Sequence, residues 1–394
     1  MDRASILSFR LEQNHLLHPI PTSAPEHGLL EAAEPGIQIT SPGTLEWSLA
    51  LRLRLEPAEI PAALEMALRK SKTLVEVTGI RGAGHVVPSH DFSLFTNAVY
   101  PMEEKELERL LVPVWKDFKA KRITATEVMA TLGQATREIL KGKKSLSQDE
   151  IHEAWRKKLP KTFLRACRGC QSHHVSYSAV AALGIRGDYC FGPMQAESEG
   201  GQTKFILARD WLPASCIDPD QETTRKALVR RFLKYYGPSS PGGFATWAGI
   251  SSALAKEFFK LLDDEGELVE VEAEHAKGTL AILRRDLPAL KRSKPVEGVW
   301  VLMPRDPILN LPDRELLAAD KKTQQKLWRM IGNPGVLLVD GELAGTIKIQ
   351  KKGTRLDLGF DLWEKISKAQ REQVEQQVRR LAPARGCTEA RFVW

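Results

Sequence analysis

Cysteine is scarce in this chain of 394 residues: there are five, an odd number. Disulfide frameworks need pairs and serve small domains that lack a sufficient core, so none is expected and the thiols read as reduced. Long apolar runs are missing too. No stretch approaches the roughly 18 consecutive apolar residues of a membrane-spanning helix, which excludes helical membrane insertion. The opening MDRASILSFRLEQNHLL places an acid at position 2 and has no apolar segment followed by small residues. A secretory signal is therefore not expected, and the cytoplasm is the expected location. What is present is ordinary for a globular protein, with 42% hydrophobic and 27% charged residues. The length exceeds what one hydrophobic core sustains, so two or more cores in tandem are expected. The formal net charge of +7 fits a polyanionic partner.

The clearest pattern lies in the third quarter of the chain. Residues 222–236 (ETTRKALVRRFLKYY) are rich in helix formers and stop at Gly237-Pro238. FATWAGI reads as a short helix closed by Gly249, with Trp247 in the core. SSALAKEFFKLLDDEG then reads as a second helix capped by Ser251 or Ser252, with Leu254, Phe258, Leu261 and Leu262 on one face. Two strands follow, ELVEVEAE and GTLAILRR, joined by a polar turn at His275 to Gly278. Helix, short helix, helix and hairpin make a winged helix-turn-helix.

The same order recurs more weakly. Helices at Ala4 to Leu17 and Pro57 to Lys70 precede TLVEVTGIRGAGHVVP, two short apolar runs around a Gly-rich turn. Helices at Glu103 to Ala120, Thr124 to Leu132 and Ser147 to Leu159 precede YCFGPMQAESEGGQTKFILA, a hairpin with a long turn. From Pro295 the chain turns strand-rich: VWVLM, GVLLVDGELAGTIKIQ with an Asp340-Gly341 turn, RLDLGF and ARFVW, with helices at Glu315 to Met330 and Leu362 to Leu381. Breaks fall near Tyr100-Pro101, Trp211 to Gln221 and Lys291 to Glu297, where proline and polar residues gather. The expected architecture is α+β: three tandem winged helix-turn-helix modules at 1–100, 101–215 and 216–292, then a C-terminal β-rich domain at 293–394. TLEWSLALRLRL alternates like a strand but has helix-forming composition.

Five segments together resemble the AlkZ/YcaQ group of winged-helix DNA glycosylases: GIQITSPGTLEWSLALRLR, RGAGHVV, YYGPSSPGGFATWAGI, DPILNLPDRELL and NPGVLLVDGELAGTIK. They span nearly the whole chain in the family's order. The resemblance implies the three-wing architecture and makes TLEWSLALR a helix. It also implies hydrolysis of the N-glycosidic bond of alkylated or crosslinked purines in duplex DNA, with no cofactor.

Such an enzyme must stabilise a cationic sugar and hold a water against the anomeric carbon. The base is already cationic, so it leaves without strong general-acid help and amide side chains suffice. Family members place a glutamine, an apolar residue, then a glutamine or an acid. Here the matching residues are Gln38, Ile39 and Thr40, and the last departs from the pattern. Threonine brings one short hydroxyl and no charge. The non-catalytic alternative is a winged-helix protein that recognises a lesion or regulates a promoter. A third possibility is an inert protein-interaction module.

Candidate DNA contacts are Arg81 and His85 beside the first wing's turn, and Arg52 and Arg54 in the helix before it. Lys157 and Lys158 lie in the basic run RKKLPKTFLRACR, and Lys351 and Lys352 in the run from Lys348 to Arg355. Charge runs are also ordinary solvated faces. Asp306, Asp313 and Arg314 read as structural ion-pair residues. Cys167, Cys170, His173 and His174 form a potential zinc set, with Cys190 as a remote ligand. Their spacing departs from the usual finger, so the expected state is no metal. The expected partner is duplex DNA, with no membrane, and the protein is expected to be a monomer.

Overall fold

A computed structural model describes every residue except 22–24, 113, 143–144, 168, 193–203, 219, 275, 277 and 330. The polar turn expected at His275 to Gly278, most of the long turn in the 189–208 hairpin, Arg168 and Met330 fall wholly or partly outside the described residues. The chain is mixed α and β and forms two units: Met1–Met66 with Val229–Trp247 and Ser252–Trp394, and Ala67–Leu228 with Ala248–Ser251. Among the described residues no helix is long and apolar enough to cross a membrane.

In the first unit, the helix Arg3–Gln13 starts where Asp2 accepts the Ser5 N–H, satisfying one of the donors that a helix start leaves open. It buries Ile6, Leu7, Phe9 and Leu11. The helix Thr44–Arg52 confirms the helical reading of TLEWSLALR. Its alternation misleads because Trp47 to Arg52 are all buried, so burial has no helical period to imprint on the sequence.

The elements expected in the third quarter are present as helices Gln221–Tyr236, Pro241–Ala248 and Ser252–Asp263, then an antiparallel pair, Leu268–Glu272 with Thr279–Leu283. Trp247 is buried with its ring 5.2 Å from that of Phe232 and 5.7 Å from that of Tyr236. The C-terminal sheet runs Val299–Leu302, Gly335–Val339, Glu342–Lys352, Arg355–Leu362 and Glu389–Val393, antiparallel except for the last pair. Asp340 and Gly341 both have positive φ, 52° and 78°, as the tight hairpin turn requires. The helix Lys368–Leu381 covers one edge: Gln377 accepts from Val301 N–H at 2.7 Å and donates to Val299 O at 2.9 Å. The helix expected over Glu315 to Met330 is shorter, Lys321–Leu327, because Asp320 caps it by accepting the Thr323 N–H.

In the second unit, Leu74–Thr78 pairs with Gly84–Pro88, and Tyr189–Gly192 with Lys204–Leu207. Glu76 pairs with Phe191, so the two hairpins share one antiparallel sheet. The helix expected over Glu103 to Ala120 is two, Glu104–Leu110 and Trp115–Ala120, and the sequence carries a proline at 113 between them. Ala125–Leu140 and Gln148–Lys158 each begin at a capping box, Thr124 with Glu127 and Ser147 with Glu150. The core joins Tyr189, Phe191 and Phe205, with ring centroids 4.9–5.3 Å apart. Each such aromatic pair adds about 0.5–1.5 kcal/mol beyond area burial. Among the elements that escaped the sequence reading are the helix Tyr177–Ile185 and the small hairpin Arg165–Cys167 with Ser172–His174.

Candidate active site and nucleic-acid interface

Gln38 ends the short strand Ile37–Gln38 and is 5% exposed, whereas Thr40 is exposed. Alternate residues of an extended segment point the same way, which brings the two side chains together. The Gln38 Nε2 donates to Thr40 Oγ1 at 3.0 Å. The hydroxyl thereby keeps its own proton and a second lone pair for another group.

The segment after this pair is tightly held. Gly43 has φ 79°, a left-handed conformation that side chains rarely adopt, and the Arg385 guanidinium fills the space where a Cβ would stand. Arg385 donates to Pro42 O at 3.3 Å. Along the following helix, Thr44 donates to Pro304 O at 2.8 Å and Trp47 Nε1 to Val301 O at 2.8 Å. Ser48 donates to Asp306 at 2.6 Å, and Arg52 grips both Asp306 oxygens at 2.7 and 2.9 Å. The helix that follows the motif is therefore pinned to the strand Val299–Leu302 and the loop after it.

This corrects the reading of Arg52 as a DNA contact: its side chain is 0% exposed and committed to an equally buried carboxylate, so it reaches no phosphate. Asp306 and Asp313 each hold a buried arginine, Arg52 and Arg10. Asp313 holds the buried Arg10 at 2.6 and 2.7 Å, and Arg314 lies over the Trp328 ring. Arg54 is exposed at the end of the same segment.

His85 is the second correction. It is 1% exposed, its Nδ1 sits 2.9 Å from Ala83 O, and burial followed by the Arg81 charge holds its pKa down to about 3. A neutral, enclosed imidazole is a packing residue of the strand Gly84–Pro88. Arg81, by contrast, is exposed in the turn between the strands with φ 58°. Gly249 approaches it so closely that an added Cβ would lie 2.9 Å from the Arg81 Cα. The residue that closes the short helix before it is thus glycine for two reasons: its φ is 76°, and the turn leaves no room.

Arg81 lines a cavity of about 620 Å³ in the second unit together with Arg109, Arg165, Ser176 and Tyr177. Tyr177 is 75% exposed and donates to Gly82 O at 3.0 Å, which holds its ring beside the turn between Leu74–Thr78 and Gly84–Pro88. Arg165 is paired with Asp117, and Arg109 lies 3.6 Å from Glu106. A concave surface with cationic rims and an exposed aromatic ring suits a polyanion carrying stackable bases. Sequence reasoning missed Arg109 and Tyr177 and reached Arg165 only as part of the basic run RKKLPKTFLRACR, because the cavity draws on separate segments. The local signal near Tyr177 was Ser176, whose side chain accepts the Ala179 N–H as a helix cap.

The basic runs have local counter-charges. Lys157 pairs with Glu153 at 3.3 Å, Lys158 with Glu138 at 2.5 Å and Lys352 with Asp357 at 3.1 Å, while Lys351 donates to Arg385 O at 2.6 Å. Of the cysteines and histidines, the structure brings Cys167, Cys170 and His174 together. His173 and His174 are consecutive in a strand and so face opposite ways. Cys190 is buried in Tyr189–Gly192, with its thiol pKa pushed up by burial.

Among solved structures, the Streptomyces sahachiroi DNA glycosylase AlkZ matches with a TM-score of 0.77 at 20% identity, over 100% of each chain, which establishes a shared fold. No curated protein sequence matches. The family model described as DNA glycosylase AlkZ-like matches residues 35–384, a span that opens just before Gln38 and contains both Asp306 and the arginine-lined cavity. By that match, the chain belongs to the AlkZ-like DNA glycosylase family.

Proposed function

We propose that the protein excises alkylated or crosslinked purine bases from duplex DNA by hydrolysing the N-glycosidic bond, with Gln38 and Thr40 at the sugar. The observation that carries this reading is the hydrogen-bonded Gln38–Thr40 pair, one side chain enclosed and the other exposed, in an AlkZ-like chain. As the bond to the cationic base breaks, the electron pair leaves with the base, which becomes neutral, and positive charge develops on the sugar. The amide dipole of Gln38 faces that charge, and the Thr40 hydroxyl holds the water that attacks the anomeric carbon. The water's proton passes to solvent. A fixed dipole acts without reorganising during the reaction, and the pinned helix after the motif supplies that rigidity.

DNA is gripped in this reading by Arg81, Arg109 and Arg165 at the cavity, with Arg54 and the lysine pairs adding diffuse attraction. The protein works as a cytoplasmic monomer built of three winged helices and a β-rich C-terminal domain, with the modules divided near 100, 215 and 292. Support for that division is the recurrence of helices followed by a hairpin, at 74–88, 189–207 and 268–283.

The test is incubation of the purified protein with duplex carrying N7-alkylated guanine, followed by alkaline strand scission. Alkali-labile sites above the Gln38→Ala background are expected. Scission no greater than that background overturns the proposal and leaves a DNA-binding protein without the chemistry.

A further inference from the structure

Apart from Arg165, the hairpin Arg165–Cys167 with Ser172–His174 plays no part in the proposed function, yet it gathers three soft ligands. One ligand atom each of Cys167, Cys170 and His174 lies within 4.8 Å of the other two. The register explains the meeting. His174 pairs with Arg165, so Cys167, two residues further along, is its diagonal neighbour on the same face. Cys170 is carried back toward that face by the turn, which reverses at Gln171 with φ 51°. The Cys-x-x-Cys spacing therefore sits on the hairpin's tip, and the third ligand comes from the returning strand. A finger-type spacing is not required.

We propose that Cys167, Cys170 and His174 bind a single zinc ion, with the fourth tetrahedral position open to solvent.

Several features of the site suit the ion. Cys167, Cys170 and His174 each present one ligand atom to a common point. His174 Nδ1 lies 2.8 Å from Val175 O. Donation to that carbonyl leaves Nε2 as the ligating nitrogen, the arrangement that orients metal-binding imidazoles. Bond lengths of about 2.3 Å to sulfur and 2.0 Å to nitrogen put tetrahedral ligand atoms roughly 3.5–3.8 Å apart, so side-chain movements of about 1 Å close the site. Two thiolates and one imidazole select zinc over magnesium or calcium. Both cysteines are free thiols, and Cys170 is exposed, so an ion has access. The ion would lock the hairpin whose first residue, Arg165, lines the cavity.

The experiment uses the full-length protein, reduced and stripped with a chelator, then titrated with Co(II) as a spectroscopic substitute for zinc. One equivalent per chain is expected, with sulfur-to-metal charge transfer from two thiolates and the intense d–d bands of tetrahedral geometry, both abolished by Zn(II). The Cys167→Ser/Cys170→Ser double variant should lose the charge-transfer band, and His174→Ala should weaken binding at least about 10-fold. In the unaltered protein, Zn(II) should protect two thiols from alkylation, a reading independent of how the variants fold. Reduced protein that takes up no metal, a charge-transfer band that survives in the double variant, or alkylation at the same rate with and without Zn(II) would overturn the proposal.

Discussion

In the first unit the guanidinium groups of Arg10 and Arg52 are fully enclosed, and each is held by both oxygens of a carboxylate. In the second, the cavity arginines are solvent-accessible, and their partners Asp117 and Glu106 retain contact with water. The enclosed pairs act as fixings: each joins segments far apart in sequence, and the Arg52 pair stiffens the helix that follows Gln38 and Thr40. The accessible arginines remain able to exchange a carboxylate for a phosphate. In the proposed function the rigid geometry serves the chemistry at the sugar and the adaptable charge serves the phosphates.

Asp306→Ala is the most severe way to probe this contrast. It strands a buried arginine and should destabilise the protein by about 3–5 kcal/mol, measured by chemical denaturation. Arg52→Met combined with Asp306→Leu should recover most of that loss, since well-packed apolar groups replace such pairs with little penalty. A single-variant loss below about 1 kcal/mol would show that the enclosed pair is no fixing at all.

Acidification probes both units at once. His15, in the first, is held down to about 4 by burial and then by the charges of Arg52 and Lys234, and His85, in the second, down to about 3. Both lie below the ordinary 6.5, so the unfolded chain binds more protons and stability is lost as pH falls from 6.5 toward those values. Glu76 opposes them. Burial raises it from 4.5 to about 7, so its contribution is present below 4.5 and lost as pH rises through 7. Between 6.5 and 4.5 two histidines outweigh one glutamate. The urea midpoint should be lower at pH 5 than at pH 7, and Glu76→Gln should steepen the fall. A midpoint that rises on acidification contradicts the burial of the histidines.

Much of this was readable in the sequence where a residue type does one local job. Gly249 ends its helix, Asp340-Gly341 turns its hairpin, and Gln38 and Thr40 meet because residues two apart in an extended segment share a side. Other features had no local signal. Arg52 looks like any surface arginine until Asp306, 254 residues away, closes over it. Tyr177–Ile185 is apolar or small over most of its length and buried from Ala179 onward, so no periodicity marks it as a helix. Two adjacent histidines suggest a joint role, yet strand geometry separates them and gives His174 alone to the cysteines.

Arg81→Ala and Arg109→Ala sharpen the other side of the contrast. Each should weaken duplex binding about equally for all sequences and reduce the slope of log affinity against log salt by about 1, without a change in thermal stability. An unchanged slope for both would remove the cavity from the DNA path. The smallest effect is expected for Asp117→Ala, at most about 1 kcal/mol of stability, because the pair it breaks with Arg165 is exposed.

The most direct measurement is single-turnover excision of N7-alkylated guanine from duplex DNA by the wild type and Gln38→Ala, with duplex affinity measured in parallel. The account predicts a rate at least about 100-fold lower in the variant at unchanged affinity. Equal excision rates, or no excision by either protein, would contradict it.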